Sequence, residues 1–362
     1  MLQRDKSFFR CRICLFCLCL PATSAIAWAA ETKPDDSAAV KMLKRVATAL
    51  KRDRDGYVVE VNFRKTKIDD SALLSLAGLP RIRSVLLNDT AISDTGLATL
   101  GQLTTLRNLD LRGCKITNAG IAQLTGLKNL RALRLSGKNG ATTVDDGALA
   151  DIGKLTNIKA LLLDYLWVSE DGLAKLKGLE HLEEIYLART LVGDEALATL
   201  QQFPKLRKLR ISATQISGQG LSSLSKLRKL EDLDISECSQ LVDNDLKPLA
   251  AMTQLNRLNL WRVAATDVGI AHLAPLTKMR WLNLDNTRLT SAGVAHLSGM
   301  KELSFLHLGS TSVSDAGLAH LQHLTALKDL KLTRTAVTAA GVERLETKLP
   351  DTKIQMNYIE GQ

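Results

Sequence analysis

From residue 59 to residue 349 the apolar positions follow one rule and then another, and the pair of rules recurs about every 24 residues. In "NLDLR" the alternation has period two, so Leu109 and Leu111 face one side while Asn108, Asp110 and Arg112 face the other. In "TNAGIAQLTGL" the period lengthens to about 3.6, which lines Ile121, Leu124 and Leu127 along one side of a short helix. Each unit is thus predicted to be a strand followed by a helical turn. Twelve units align, from Val61/Phe63 through Leu109/Leu111 and Leu258/Leu260 to Leu330/Leu332, and a thirteenth strand, Ile354/Met356, ends the series. Two units are longer, by four residues in "SGKNGATTVDD" and by one in "SECSQLVDND".

One strand and one helix cannot cover their own leucines. A buried leucine contributes about 1.5–3 kcal/mol only when something shields it from water. Here the next unit is the shield, so the copies must stack, strands parallel on one side and helices on the other. Three further positions support the stack. Helices open on Thr or Ser followed by Asp or Asn (Ser93-Asp94, Thr117-Asn118, Thr266-Asp267, Ser314-Asp315), a hydroxyl cap with a group suited to the positive helix end. One helical site holds Gly in eight units, Ala in three and Asp245 in one, which lets adjacent helices approach closely. Where the strand ends, Thr66, Thr90, Cys114, Thr190, Thr214, Cys238, Thr287, Thr311 and Thr335 are expected to bond the backbone of the adjacent coil. Cys114 and Cys238 are then buried substitutes for threonine. Five coils apart, about 24 Å at roughly 4.8 Å per strand, they lie beyond disulfide reach.

The pattern "LxxLxLxxTxITDAGLAHLxxL" resembles the leucine-rich repeat family, in the ribonuclease-inhibitor-like, cysteine-containing style of exported bacterial proteins, over residues 59–349. The resemblance implies an α/β solenoid, curved, with parallel strands on the concave face, short helices on the convex face, and a role in binding. Residues 31–58 are read as an N-terminal cap built on an amphipathic helix over 36–56, with Val40, Leu43, Val46, Ala47 and Leu50 on one face. Residues 350–362 are read as a C-terminal cap strand.

The chain has 362 residues, 4% aromatic, with a formal charge of +10. Residues 1–30 read as a signal peptide: a basic leader, the apolar run "ICLFCLCL", and small residues at Ala27 and Ala29 for cleavage. An uncleaved membrane anchor is the alternative, weakened by Pro21, Thr23 and Ser24. Cleavage would remove four cations and one acid, leaving +7, and would take four of the six cysteines, so this is no disulfide scaffold. The expected location is outside the inner membrane: periplasmic, cell-surface or secreted.

No nucleophile elbow, zinc-protease motif or phosphate loop occurs in the sequence, so no enzyme activity, cofactor, metal or small-molecule substrate is expected. His272, His296 and His320 share one helical position, but Thr99, Gln123 and Lys175 hold it elsewhere, as on a solvated face. The outward strand positions are mostly small and polar. In three adjacent coils they become Arg257, Asn259, Trp261, then Trp281, Asn283, Asp285, then Phe305, His307, Gly309, with Tyr186 and Arg189 a smaller feature three coils earlier. Aromatics with arginine are the composition of binding hot spots. Two uses of these rings stay open: a partner-binding patch, or packing on one another across strands. Beside them, Lys208 and Arg210 are placed to pair with Asp232 and Asp234. The expected partner is a protein; an anionic envelope polymer or glycan on the same patch is the alternative, and a purely structural role a third reading. No intracellular nucleic acid partner is expected.

Overall fold

Every second residue of the repeated strand motif is hidden, and the sheet is built on that alternation. A computed structural model describes residues 33–357; the signal peptide expected over residues 1–30 and the last five residues of the C-terminal cap lie outside the described residues. Within the compact unit Pro34–Gln362, fourteen strands form one sheet in sequential order. All pairings from Val58–Asn62 to Lys353–Gln355 are parallel, and their register aligns the repeats: Leu109 opposite Leu133, Leu258 opposite Leu282, Leu306 opposite Leu330. Helical turns follow the strands; some are α-helical, and others, such as Asp243–Ala251 with Pro248 inside, are 3-10. The inward leucines form a single continuous core from Val40 to Leu349.

The N-terminal cap differs from its expected form. The helix is Ser37–Val46, not 36–56, and Ala49–Arg52 is a strand antiparallel to Val58–Asn62, with Leu50 opposite Val61. Val58–Asn62 would otherwise leave a row of N–H and C=O groups unpaired at the sheet edge, and the strand satisfies them. The apolar face is the expected one: Val40 and Leu43 are buried, and Val46, Ala47 and Leu50 pack against the core.

The threonine row also bonds differently. Thr90, Thr190, Thr214, Thr287 and Thr311 each donate to the carbonyl three residues back in their own coil, at 2.6–2.7 Å. Their hydroxyls close the turn at the strand end rather than bonding the adjacent coil's backbone, although Thr90 and Thr214 also meet the thiols of Cys114 (3.6 Å) and Cys238 (3.8 Å) in the next coil. The longer thiols do cross: Cys114 Sγ donates to Leu87 O at 3.2 Å and Cys238 Sγ to Ile211 O at 3.3 Å. Both cysteines are free and buried. The residue before this row takes a left-handed conformation in nearly every coil, among them Arg189 (φ 54°), Arg262 (59°) and Arg334 (56°). Its N–H then meets the next coil's carbonyl, as in Arg262 to Asp285 O at 3.0 Å, a bond that offsets the conformational cost.

Helix starts are tied together across coils. Ser93, Thr117 and Thr266 accept from the amide two residues on, as expected, whereas Ser314 instead shares a hydrogen bond with Ser291. In most coils an acid beside the cap serves the next coil. Asp94 accepts from both the N–H and the hydroxyl of Thr117, and Asp70, Asp194, Asp243, Asp267 and Asp315 repeat the arrangement. The small helical position makes room for that carboxylate: a Cβ on Gly120, Gly172 or Gly293 would fall well inside 3.0 Å of the preceding coil's aspartate.

Candidate functional site

The strand register sets Arg257, Trp281 and Phe305 side by side at the first outward position, and Asn259, Asn283, His307 and Lys331 side by side at the second. The first row is a closed stack. Arg257 Cζ lies 3.5 Å from the Trp281 ring centre, and the Phe305 ring covers the other face at 4.9 Å and 5° between planes. Trp281 therefore has both faces occupied by its own chain, the packing role that the sequence left open. Asn259 and Asn283 close local turns, accepting from the N–H groups of Trp261 (3.1 Å) and Asp285 (2.9 Å).

Beyond the stack the face opens into a groove of about 590 Å³, with Trp261 and Phe305 as aromatic walls and Asn283, Asp285 and His307 between them. Gly309 keeps it open. A Cβ there would come within 2.8 Å of Asp285 Oδ1, His307 Nε2 and Thr333 Oγ1, so three polar groups from three coils converge where a side chain would begin. Gly309 is the one glycine at that repeat position. Burial lowers the pKa of His307, and Lys331 adds to the effect, while Asp285 opposes it. The imidazole is therefore neutral near pH 7 and keeps a lone pair. Among the described residues no cation forms an ion pair with Asp285, although Lys331 is close by, engaged with Gln355 (2.6 Å) and Asp329 (3.1 Å).

Several residues singled out from the sequence do not reach the groove. Arg257 lies on Trp281 and 3.5 Å from Asp232. Tyr186 is paired with Glu184, and its phenol is held far above the ordinary tyrosine range by burial first and by Glu184 second. Arg189 makes a forked bond to Glu237 at 2.9 and 3.0 Å. The expected charge ladder is present in part: Arg210 meets Asp234 (3.5 Å) and also Asp164 (3.3 Å), while Lys208, opposite Asp232 in register, forms no ion pair with it and Arg257 comes within 3.5 Å instead. Asp110, at an outward position, is fully buried because Arg112 (2.7 Å) and Arg64 (3.4 Å) fold over it.

Conversely, Arg262, Lys331, Thr333, Arg334 and Gln355 complete the groove and were not singled out from the sequence. Arg262 directly follows Trp261, two coils before His307, whereas the other four lie in or beside the two coils after it, where continuing the outward grid past Gly309 would have found them. Trp167, 68% exposed beside Leu191 at 55%, was also passed over, because the repeat places it beyond the strand.

A family model described as a leucine-rich repeat region matches residues 66–268. Among solved structures, the chain is similar to an internalin (inlF) from Listeria monocytogenes at 19% identity and a TM-score of 0.55, covering 83% of this chain and 95% of that one. A TDR receptor is similar at 17% identity and a TM-score of 0.52, covering 79% of this chain and 52% of the receptor. Among curated proteins none matches.

Proposed function

Because this chain belongs to the leucine-rich repeat family, we propose that it is an exported, non-catalytic module that binds a protein partner through the concave strand face, with the groove over Gly309 as the centre of contact. The groove carries the reading. It combines two aromatic walls, a ring of hydrogen-bonding groups and an unpaired carboxylate on a sheet whose every coil is bonded to the next, so little ordering is lost on docking. Export rests on the leader-like residues 1–30; among the described residues no helix is long and apolar enough to cross a membrane. The non-catalytic reading rests on the lack of nucleophile–base motifs in the sequence.

An anionic polymer on this same patch has less support. Arg257 is committed to Trp281 and Asp232, and Lys331 to Gln355 and Asp329, so two of the nearby cations are already satisfied.

The test is affinity capture from the parent cell's envelope fraction, followed by titration of the captured protein. Trp261→Ala with Arg262→Glu should weaken that partner by about thirtyfold or more, the scale of a lost hot spot, with the thermal midpoint nearly unchanged. Equal affinity of the double variant for the same partner would remove the groove from the interface.

A further inference from the structure

The residue just before each strand forms a second row across the sheet. Backbone bonds join its members coil by coil: Arg107 N–H to Arg83 O (2.8 Å), Arg131 N–H to Arg107 O (2.8 Å), Lys159 N–H to Arg131 O (2.7 Å), and onward through Glu183, Arg207 and Glu231. From Lys159 to Glu231 the row alternates in sign and neutralises itself, and its later cations, Arg280 and Lys328, pair with Glu302 and Asp351. Lys159 meets Glu183 at 2.6 Å, and Arg207 forks onto Glu231 at 2.7 and 3.0 Å. Arg83, Arg107 and Arg131 break this rule. They are exposed, occupy three consecutive coils, and have no carboxylate within ion-pair distance among the described residues. Three guanidinium groups on stems about 4.8 Å apart repel one another, and no carboxylate among the described residues relieves it. The edge beneath them is rigid: Thr105 Oγ1 donates to Ile82 O (2.6 Å), Asn129 to Thr104 O (2.9 Å) and Asn157 to Lys128 O (2.8 Å), tying successive loops together.

We infer that Arg83, Arg107 and Arg131 form a docking edge for a linear anionic polysaccharide carrying one carboxylate per ring. The planar guanidinium fork suits a carboxylate, and the coil pitch is close to the length of one pyranose ring. An extended acidic peptide fits worse, since its same-side residues recur about every 6.7 Å and leave the pitch by the second arginine. Single-stranded nucleic acid draws affinity from stacking on aromatic rings, and residues 64–164 contain no Phe, Tyr or Trp. This edge is separate from the groove over Gly309 and does not depend on it.

The experiment measures binding of the full chain to labelled polygalacturonate, with polyglutamate and oligo-dT of similar length as comparison polyanions, between about 50 and 200 mM salt. The triple variant Arg83→Ser, Arg107→Ser, Arg131→Ser should lose about tenfold or more in affinity and bind with a shallower salt dependence. A control that removes the same charge from exposed positions elsewhere, Lys44→Ser, Lys226→Ser, Lys301→Ser, should keep the wild-type affinity and slope. Equal loss in both triples would show that net charge acts without the row and would overturn the inference. Polyglutamate or oligo-dT binding as tightly as polygalacturonate would overturn the assignment to a saccharide, as would no binding at the lowest salt. Capture of a protein partner by the groove should be the same in wild type and the arginine triple, so the two readings fail separately.

Discussion

At one coil of the helix-start ladder two residues have traded places, and that exchange makes a sharp test. Where most coils place an acid beside the cap, one places Gly218; where most next coils place glycine, the following one places Asp245. The two have exchanged. Asp245 Oδ2 accepts from the Val242 N–H at 2.9 Å, the amide of the cap residue that elsewhere bonds the preceding coil's aspartate. A Cβ on Gly218 would lie 2.9 Å from the Asp245 Cα and closer still to its carboxylate. Gly218→Asp alone therefore crowds two carboxylates at one amide and should cost about 2–3 kcal/mol in overpacking and repulsion. Asp245→Gly alone strips the amide of its acceptor and loosens the turn, for about 1–2 kcal/mol. Independent effects would sum to about 4 kcal/mol. The double exchange, however, rebuilds the arrangement of Asp94 with Thr117 and Gly120, so it should return to within about 1 kcal/mol of wild type, a coupling of about 3 kcal/mol. Urea unfolding of the full chain, followed by far-ultraviolet circular dichroism, reads this as a midpoint lowered by about 1 M in Gly218→Asp and largely restored in the double variant. A double variant less stable than either single one would refute the reasoning.

Two other predictions concern the strands. Leu109 is fully buried between coils, so Leu109→Asp should cost more than about 4 kcal/mol through an unpaired buried charge; an unaltered thermal midpoint would contradict the register. Asp110 and Asp164 should respond oppositely to loss of charge. Burial alone would raise the pKa of Asp110, but the hydrogen bonds and charge of Arg112 outweigh it and lower the value; its contribution is present above the unfolded value of 3.8 and lost as pH falls through the lower folded one. Burial raises Asp164, and Arg210 offsets only part of that, so its contribution is lost as pH rises through the raised value. At pH 7, Asp110→Asn should lower the free energy of unfolding and Asp164→Asn should raise it, each by about 1 kcal/mol after allowing for half-exposed arginine partners. Shifts of the same sign would overturn the assignment.

The sequence by itself determined the repeat, the strand register and the stacking order. Those depend on which residues are apolar at a fixed spacing, and a one-residue slip would turn every leucine outward. It also marked Trp261, Asp285, Phe305 and His307 as unusual on the outward grid. The tertiary structure decided what those side chains do, because outward side chains of equal spacing can either grip one another or stay open. Trp281 is capped by Arg257 and Phe305, whereas Gly309, lacking a Cβ, leaves Asp285, His307 and Thr333 facing an empty groove. Charge partners were decided there too. Arg189 reaches Glu237 two coils away because Ala213 between them is short, and Asp110 disappears beneath two arginines that a periodic pattern places merely nearby. Pairing across coils depends on side-chain length and direction, which the alternation of apolar and polar letters does not encode.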